Sequence, residues 1–428
     1  MTVPRAHPPR PASLAFIFIT ALLDVLALGI ILPVLPRILS GFVEGDTTRT
    51  AQLFGLFATS WAVMQFFFSP MLGALSDALG RRPLVLISNF GLGLDYILMA
   101  LAPSLGWLFV GRVVSGITAA SVSTVSAYIA DVTPPEKRAA SFGLLGAVYG
   151  GGIVLGPALG GLLGDRNPHL PFWIAAGLSL ANALYGVFVL PESLPPERRT
   201  PFSLKNASPL GSIVLLRSRR ELFGLVGVYF LASLSLNVVN SVFVLYVGYR
   251  FGWGERAVGL TLALEGVLSL IVQGVLVNPV VKVMGERRTL LGGLVLGLLG
   301  LFCYGLVSTG PWFLLCMPLL ALNGLFGPAA LGLMSNRVPA TQQGQFQGAL
   351  ISFVSISGII GPAIFSQVFA FGIDPRHDWK QPGAPFFLAA LIMGLALLWA
   401  GWILRTLGEP PPQALPQPDE GSIPSHGP

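Results

Sequence analysis

Residues Thr289–Ser308 read TLLGGLVLGLLGLFCYGLVS, twenty residues without one Asp, Glu, Lys, Arg or His. As a helix this run is about 30 Å long, the thickness of a bilayer's hydrocarbon core. In oil every backbone N–H and C=O must bond within the segment, so an isolated run of this kind has to be a helix. Eleven comparable runs accompany it, near 13–39, 51–76, 83–103, 106–130, 139–164, 170–190, 221–248, 256–281, 311–335, 345–371 and 384–405. None shows the polar–apolar alternation of a membrane barrel strand. The whole chain of 428 residues is 53% hydrophobic and 10% charged, where soluble domains carry roughly 25% charged residues. The expected fold is therefore an all-α membrane protein of twelve transmembrane helices.

The formal charge of +6 fits the positive-inside rule better than nucleic-acid binding. With the N-terminus placed in the cytoplasm, seventeen of the 25 Lys and Arg residues fall in segments on the inner side. Six fall in outer loops, and Arg37 and Arg112 lie within runs. Such an asymmetry orients a membrane protein and puts both termini inside. Cys303 and Cys316, the only cysteines, sit in apolar runs and read as small core residues. The first run is too long for a cleaved leader and is expected to persist as a span.

Residues 1–12 and 408–428 are rich in proline and polar residues and are expected to be disordered tails. The longest internal hydrophilic stretch, 191–220, divides the chain into bundles over 13–190 and 221–407. Three markers recur 205 residues apart: Gly80 with Gly285, Gly143 with Gly348, and Gly156-Pro157 with Gly361-Pro362. Two pseudo-symmetric six-helix bundles follow, an arrangement that secondary transporters use to hold a substrate site at the midplane.

The stretch Gly73–Pro83 reads GALSDALGRRP and joins the second run to the third. Gly73, Asp77, Gly80, Arg81 and Arg82 form a candidate charged latch, which Asp131 and Arg138 of the next inner loop can complete. In the second half the offset puts Lys282 at the Asp77 position and Asn336 and Gln343 at those of Asp131 and Arg138, so a second latch is expected to be weaker or different in sign. The fifth run carries Gly146, Gly150, Gly156, Pro157 and Gly160, a smooth groove that allows close helix approach and a bend. It reads as a hinge or seal between halves.

Charged residues inside spans are costly and face a cavity or each other. Asp24, Asp95, Arg112 and Glu265 all count to within reach of the midplane, and they are the candidate proton-coupling residues. Arg112 requires a partner, with Asp24 the first candidate and Asp95 the second. Glu265 has no basic residue in its own helix; a cationic substrate, a second proton or permanent protonation would each suit it. Gln65, Asn237, Asn240, Gln273 and Asn323 are the candidate substrate-contacting amides, Gln273 sharing a helix face with Glu265. No phosphate-binding loop or catalytic motif occurs, and the four histidines lie in loops or tails. Neither an enzyme, a metal site, a cofactor nor a nucleic-acid partner is expected.

Taken together, LDVLALGIILPVLPRI from Leu23, GALSDALGRRP from Gly73, LDYILMA from Leu94, GRVVSGITAAS from Gly111, AYIADVTPPEKRAASFG from Ala127, GPALGGLLG from Gly156 and GQFQGAL from Gly344 resemble the major facilitator superfamily. Within it they are most similar to drug:proton antiporters of the tetracycline efflux type. The resemblance covers most of the chain. It implies the major facilitator fold, proton-coupled efflux of a small amphipathic drug from a bacterial inner membrane, and a monomer whose partners are substrate, protons and lipid. It places the family's first-span acid on Asp24, its third-span acid on Asp95 and its fourth-span Arg on Arg112. It also shows two departures: Leu296 stands where the family has a ninth-span acid, and Ser269 where it has an eighth-span His. Two other functions fit the residues alone, a uniporter or importer of a sugar or other metabolite, and a non-transporting receptor or scaffold.

Overall fold

A computed structural model describes residues 11–118, 121–202, 220–339 and 342–406. The two tails and most of the expected linker lie outside these residues. The described chain contains helices and no strand. In order these are α1 (Pro11–Ile31), α2 (Leu35–Gly41), α3 (Thr47–Leu79), α4 (Arg81–Ala100), α5 (Leu105–Thr118), α6 (Ser121–Val132), α7 (Pro135–Arg166) and α8 (Leu170–Val189). After the linker come α9 (Arg220–Phe251), α10 (Glu255–Ile271), a π turn (Val272–Leu276), α11 (Val277–Leu306) and α12 (Gly310–Ala321). A 3₁₀ turn (Leu322–Leu325), α13 (Phe326–Ser335), α14 (Gln343–Ile373) and α15 (Ala384–Thr406) complete the fold.

Among the described residues nine helical stretches are long and apolar enough to cross a bilayer, ten when a bent first span is counted. The expected twelve differ from this count in two places. Glu255–Leu306 runs as one stretch of 52 residues, broken at Gly285, where φ is 76° and ψ is 160°. The expected fourth run is carried by α5 and α6, on either side of residues 119–120, which are not described. The first run is not continuous as expected. Pro33 lacks an N–H, the chain passes through short-range turn bonds from Leu32 to Gly29 and from Val34 to Ile31, and α2 leaves at 41° to α1.

Gly80, which ends α3 and starts α4, has φ 110°. A side chain is strained there, and Gly285 repeats the device 205 residues later. The two glycine-arginine turns define one face of the molecule, the arginine-turn face. The opposite face carries α2, with Arg37, and the start of α10.

Two helix pairs make most of the contact between the halves of the chain, α7 with α10 and α3 with α14. Each pair is zipped at one end and parted at the other. A Cβ on Gly161 would stand 2.9 Å from the Gly259 Cα, one on Gly266 2.8 Å from Val154, and one on Gly150 2.5 Å from Leu270. Gly143 and Gly146 continue the same stripe of α7, and nothing lies within 4 Å of a Cβ on either. In α3 a Cβ on Gly55 would meet the Ser366 side chain at 2.5 Å. Gly73 is eighteen residues on, five full turns and so on the same side of the helix, and meets nothing within 4 Å. The core agrees: Ala51, in the closed part of α3, is buried within the apolar cluster of the second half. The halves are therefore clamped at the Arg37 face and apart at the arginine-turn face.

Candidate functional site

Two buried acids and a half-buried arginine come together in the first half. Asp24 of α1 and Asp95 of α4 are 7% and 3% exposed, which in an apolar helix bundle marks them as placed rather than stray. Both act electrostatically on Tyr96, as does Arg112 of α5. Asp24 also acts on Tyr149 of α7. Asp95 and then Tyr96 act on Arg112. The Asp95 carboxylate lies over Gly111, where a Cβ would be 3.0 Å from Oδ1, with the Ser115 hydroxyl nearby. A side chain at 111 would push the acid off α5.

Among the described ion pairs within 4.0 Å none joins Arg112 to Asp95. The Tyr96 and Tyr149 hydroxyls and Arg112 Nε are buried without a hydrogen-bond partner among the described residues. Native interiors satisfy nearly all such groups, so a concentration of them marks a site. Tyr96, Tyr149 and Ser115 escape a reading of charge and amide positions, because aromatic and hydroxyl residues are unremarkable in a span. Only their convergence identifies them.

The second half contributes Glu265, half-buried in α10, one residue before the Gly266 contact with α7. No basic group acts on it; it acts on Tyr304 of α11. One turn further the half-buried Ser269 accepts a hydrogen bond from the exposed Gln273 at 2.8 Å. Gln273 belongs to the π turn, a local widening that recurs at functional sites. Asn240 is exposed and Gln65 half-buried. The other two amides are committed to the fold. Asn237 donates to Ser233 O at 2.9 Å and to Ser357 Oγ at 3.1 Å, tying α9 to α14. Asn323 is 3% exposed and donates to Gly293 O at 2.8 Å.

The latch residues gather at the arginine-turn face, within the first half. Arg81 pairs with Asp77, and its Nε reaches Asp131 Oδ2 at 3.1 Å. Two expected members do something else: Arg82 donates to Val187 O at 2.6 Å and Arg138 to Thr133 O at 3.2 Å. Gly73 carries no latch contact, and Gly146 lies in the parted part of the groove rather than its packed part; Gly150, Gly156, Pro157 and Gly160 do pack. The member missed by sequence reading is Glu192. Its Oε1 accepts from the Arg81 N–H at 2.8 Å and so caps α4 from 111 residues away, with the charge an N-terminus favours. The same oxygen accepts from Ser193 and Leu194 N–H at 3.0 and 3.1 Å, and Thr200 N–H donates to Asp77 O at 3.1 Å. The start of the linker thus folds back onto the latch. At the Arg37 face, outside the spans, Arg376 holds the Asp374 carboxyl well below the usual range, at about 2, through side-chain and backbone hydrogen bonds.

Two inward-facing carboxylates, a half-buried Arg and a pair of bundles parted on one face are the parts of a transporter. The sequence matches the Major Facilitator Superfamily over residues 17–276 and 225–426. The chain belongs to the major facilitator superfamily. Within the superfamily it is 38% identical to the class C tetracycline resistance protein of Escherichia coli over 351 residues, covering 82% of this chain and 88% of that protein. It is 37% identical to the class G tetracycline resistance protein of Vibrio anguillarum, covering 86% of this chain and 93% of that protein. The fold is shared with the human organic anion transporter MFSD10, with a TM-score of 0.67 at 24% identity over 92% of this chain and all of that one.

Proposed function

We propose that this facilitator exports a small amphipathic compound in exchange for protons, alternating between its two faces, with the arginine-turn face and both termini in the cytoplasm. One observation carries the reading: Asp95 stands beside Arg112 in a buried site without closing an ion pair, in a molecule clamped on one face only. The proton affinity of a buried carboxylate depends on its desolvation as well as on a guanidinium beside it. Both groups lie in the first half, so rocking the halves alters the water that reaches them rather than the distance between them, and in this way opening and proton transfer are coupled. Asp24, with Tyr96 and Tyr149, supplies a second acid on the same path. Glu265, with no basic side chain acting on it, favours a substrate that carries positive charge. The tetracycline resistance relatives support a drug as cargo, while Leu296 and Ser269 leave this chain without two of their polar groups.

The test uses proteoliposomes with an imposed pH gradient, and tetracycline and ethidium as probes. Asp95→Asn and Asp24→Asn are each expected to lower gradient-driven uptake about tenfold, the effect of about 1.4 kcal/mol on the barrier. Exchange of labelled for unlabelled substrate without a gradient should persist. Uptake that keeps its rate and pH dependence in both variants would remove the proton from the mechanism.

A further inference from the structure

We infer that Arg37 and Glu255 form an ionic lock that helps to hold the Arg37 face shut, so that the state seen here responds to this cross-half charge pair. It joins the two halves, whereas Arg81–Asp77, Arg81–Asp131, Arg199–Glu192 and Arg376–Asp374 each lie within one half or the linker. Its setting is built rather than incidental. The break at Leu32–Val34 turns α2 aside by 41° and carries Arg37 over the seam between α7 and α10. There Arg37 Nη1 lies 3.1 Å from Glu255 Oε2 and donates to Gly164 O at 3.4 Å. One guanidinium therefore holds the last turn of α7 and the first turn of α10 together, a use suited to its fork of donors. Beneath it the backbones nearly touch: a Cβ on Gly161 would strike the Glu255 carbonyl, and one on Gly164 would be 3.7 Å from the Glu255 Cβ. The seam has no room to slide, so it opens only by separation, and separation breaks this pair. The Arg37 side chain is 50% exposed and that of Glu255 15%, so water and salt reach the lock. That suits a contact meant to break in each cycle, where a fully buried pair would be too costly to open.

The inference goes beyond the transport reading and needs only that the Arg37 face can open. The experiment uses the full chain in lipid nanodiscs, with Cys303 and Cys316 replaced by Ser. Spin labels are placed at Thr48 and Gln367, which line a cleft on the Arg37 face between α3 and α14. R37E and E255R are each expected to lower the closed-to-open ratio of that distance by about 1.5- to 5-fold, the range for a partly exposed pair. The double swap R37E/E255R should restore it. Raising ionic strength should shift the otherwise native pair the same way and leave E255Q unmoved, a readout that holds even if a charge-reversed variant folds poorly. Single reversals that leave the ratio unchanged, a swap that fails to restore it, or a salt response that survives in E255Q would overturn the lock. A second label pair at Phe142 and Ile351 reads the arginine-turn face. A response at Thr48–Gln367 without the reciprocal closure there would keep the lock and sink alternating access.

Discussion

At the scale of single residues, Glu192 shows how much of this molecule rests on one carboxylate. It caps α4 through the Arg81 N–H, orders its own turn, and lies 3.9 Å from Arg199. Its partner glycine is equally constrained, since a Cβ on Gly80 would meet the Glu192 carboxylate and stand 3.0 Å from Arg199 Nη2. Glu192→Ala removes the cap and leaves the Arg81 side chain on its own partners, Ser76, Asp77 and Asp131. A lost N-cap costs about 1 kcal/mol. The expected result is faster amide exchange in peptides covering the start of α4 and faster proteolysis within 191–202. Exchange unchanged at Arg81 and Arg82 would show that the linker arm is only resting on the latch. Glu192 could not be read from the sequence because caps are recognised by local spacing, and this one arrives from a distant segment. Asp24, Asp95, Arg112 and Glu265 could be read, because a charge in an apolar run is too costly to sit there without a role. The place of Asp95 over Gly111 could not, since both acids lie at similar depth and only the packing of α4 on α5 sets it.

At the scale of elements, the glycine stripe of α7 has two parts with opposite duties. From Gly150 to Gly161 it is a seal, where α7 meets α1 and α10 at backbone distance: a Cβ on Gly156 would stand 2.8 Å from the Gly29 Cα, and one on Gly160 would strike the Ile30 carbonyl. At Gly143 and Gly146 it borders open space. The sequence shows one continuous run of small residues, since composition records that helices can approach and not where they have parted. Substitution separates the two duties. Gly161→Leu forces α10 away from α7, and overpacking of this kind costs about 1–3 kcal/mol. Transport should fall about tenfold or more, with the Thr48–Gln367 distance shifted toward open. Gly146→Ala adds one methyl where no atom is near and should stay within about twofold of the parent rate, an effect well under 1 kcal/mol. Equal losses in both variants would mean that the stripe acts as a uniform packing surface.

At the scale of the whole molecule, the duplicated plan was legible from three glycine markers at one offset, and the positive φ at both Gly80 and Gly285 gives that repeat a conformational meaning. The state of the transporter was not legible, because a single sequence encodes both faces of the cycle. Geometry supplies it: α3 and α14 touch at Gly55 and have separated at Gly73, about 27 Å along the helix. A water-soluble reagent should therefore enter from the arginine-turn face alone. Single cysteines at Gly146 and Gly358, both free of neighbours, test this with a membrane-impermeant maleimide and the native cysteines replaced by Ser. With the arginine turns in the cytoplasm, inside-out vesicles should label about tenfold faster than right-side-out ones, the ratio set by roughly 1.4 kcal/mol between the two states. R37E should narrow the difference by raising labelling from the Arg37 face. Faster labelling in right-side-out vesicles would invert the topology while leaving the clamp intact. Equal labelling from both sides would mean that the seam from Gly150 to Gly161 does not hold in the membrane, and the coupling of Asp95 and Arg112 to a one-sided opening would fall with it.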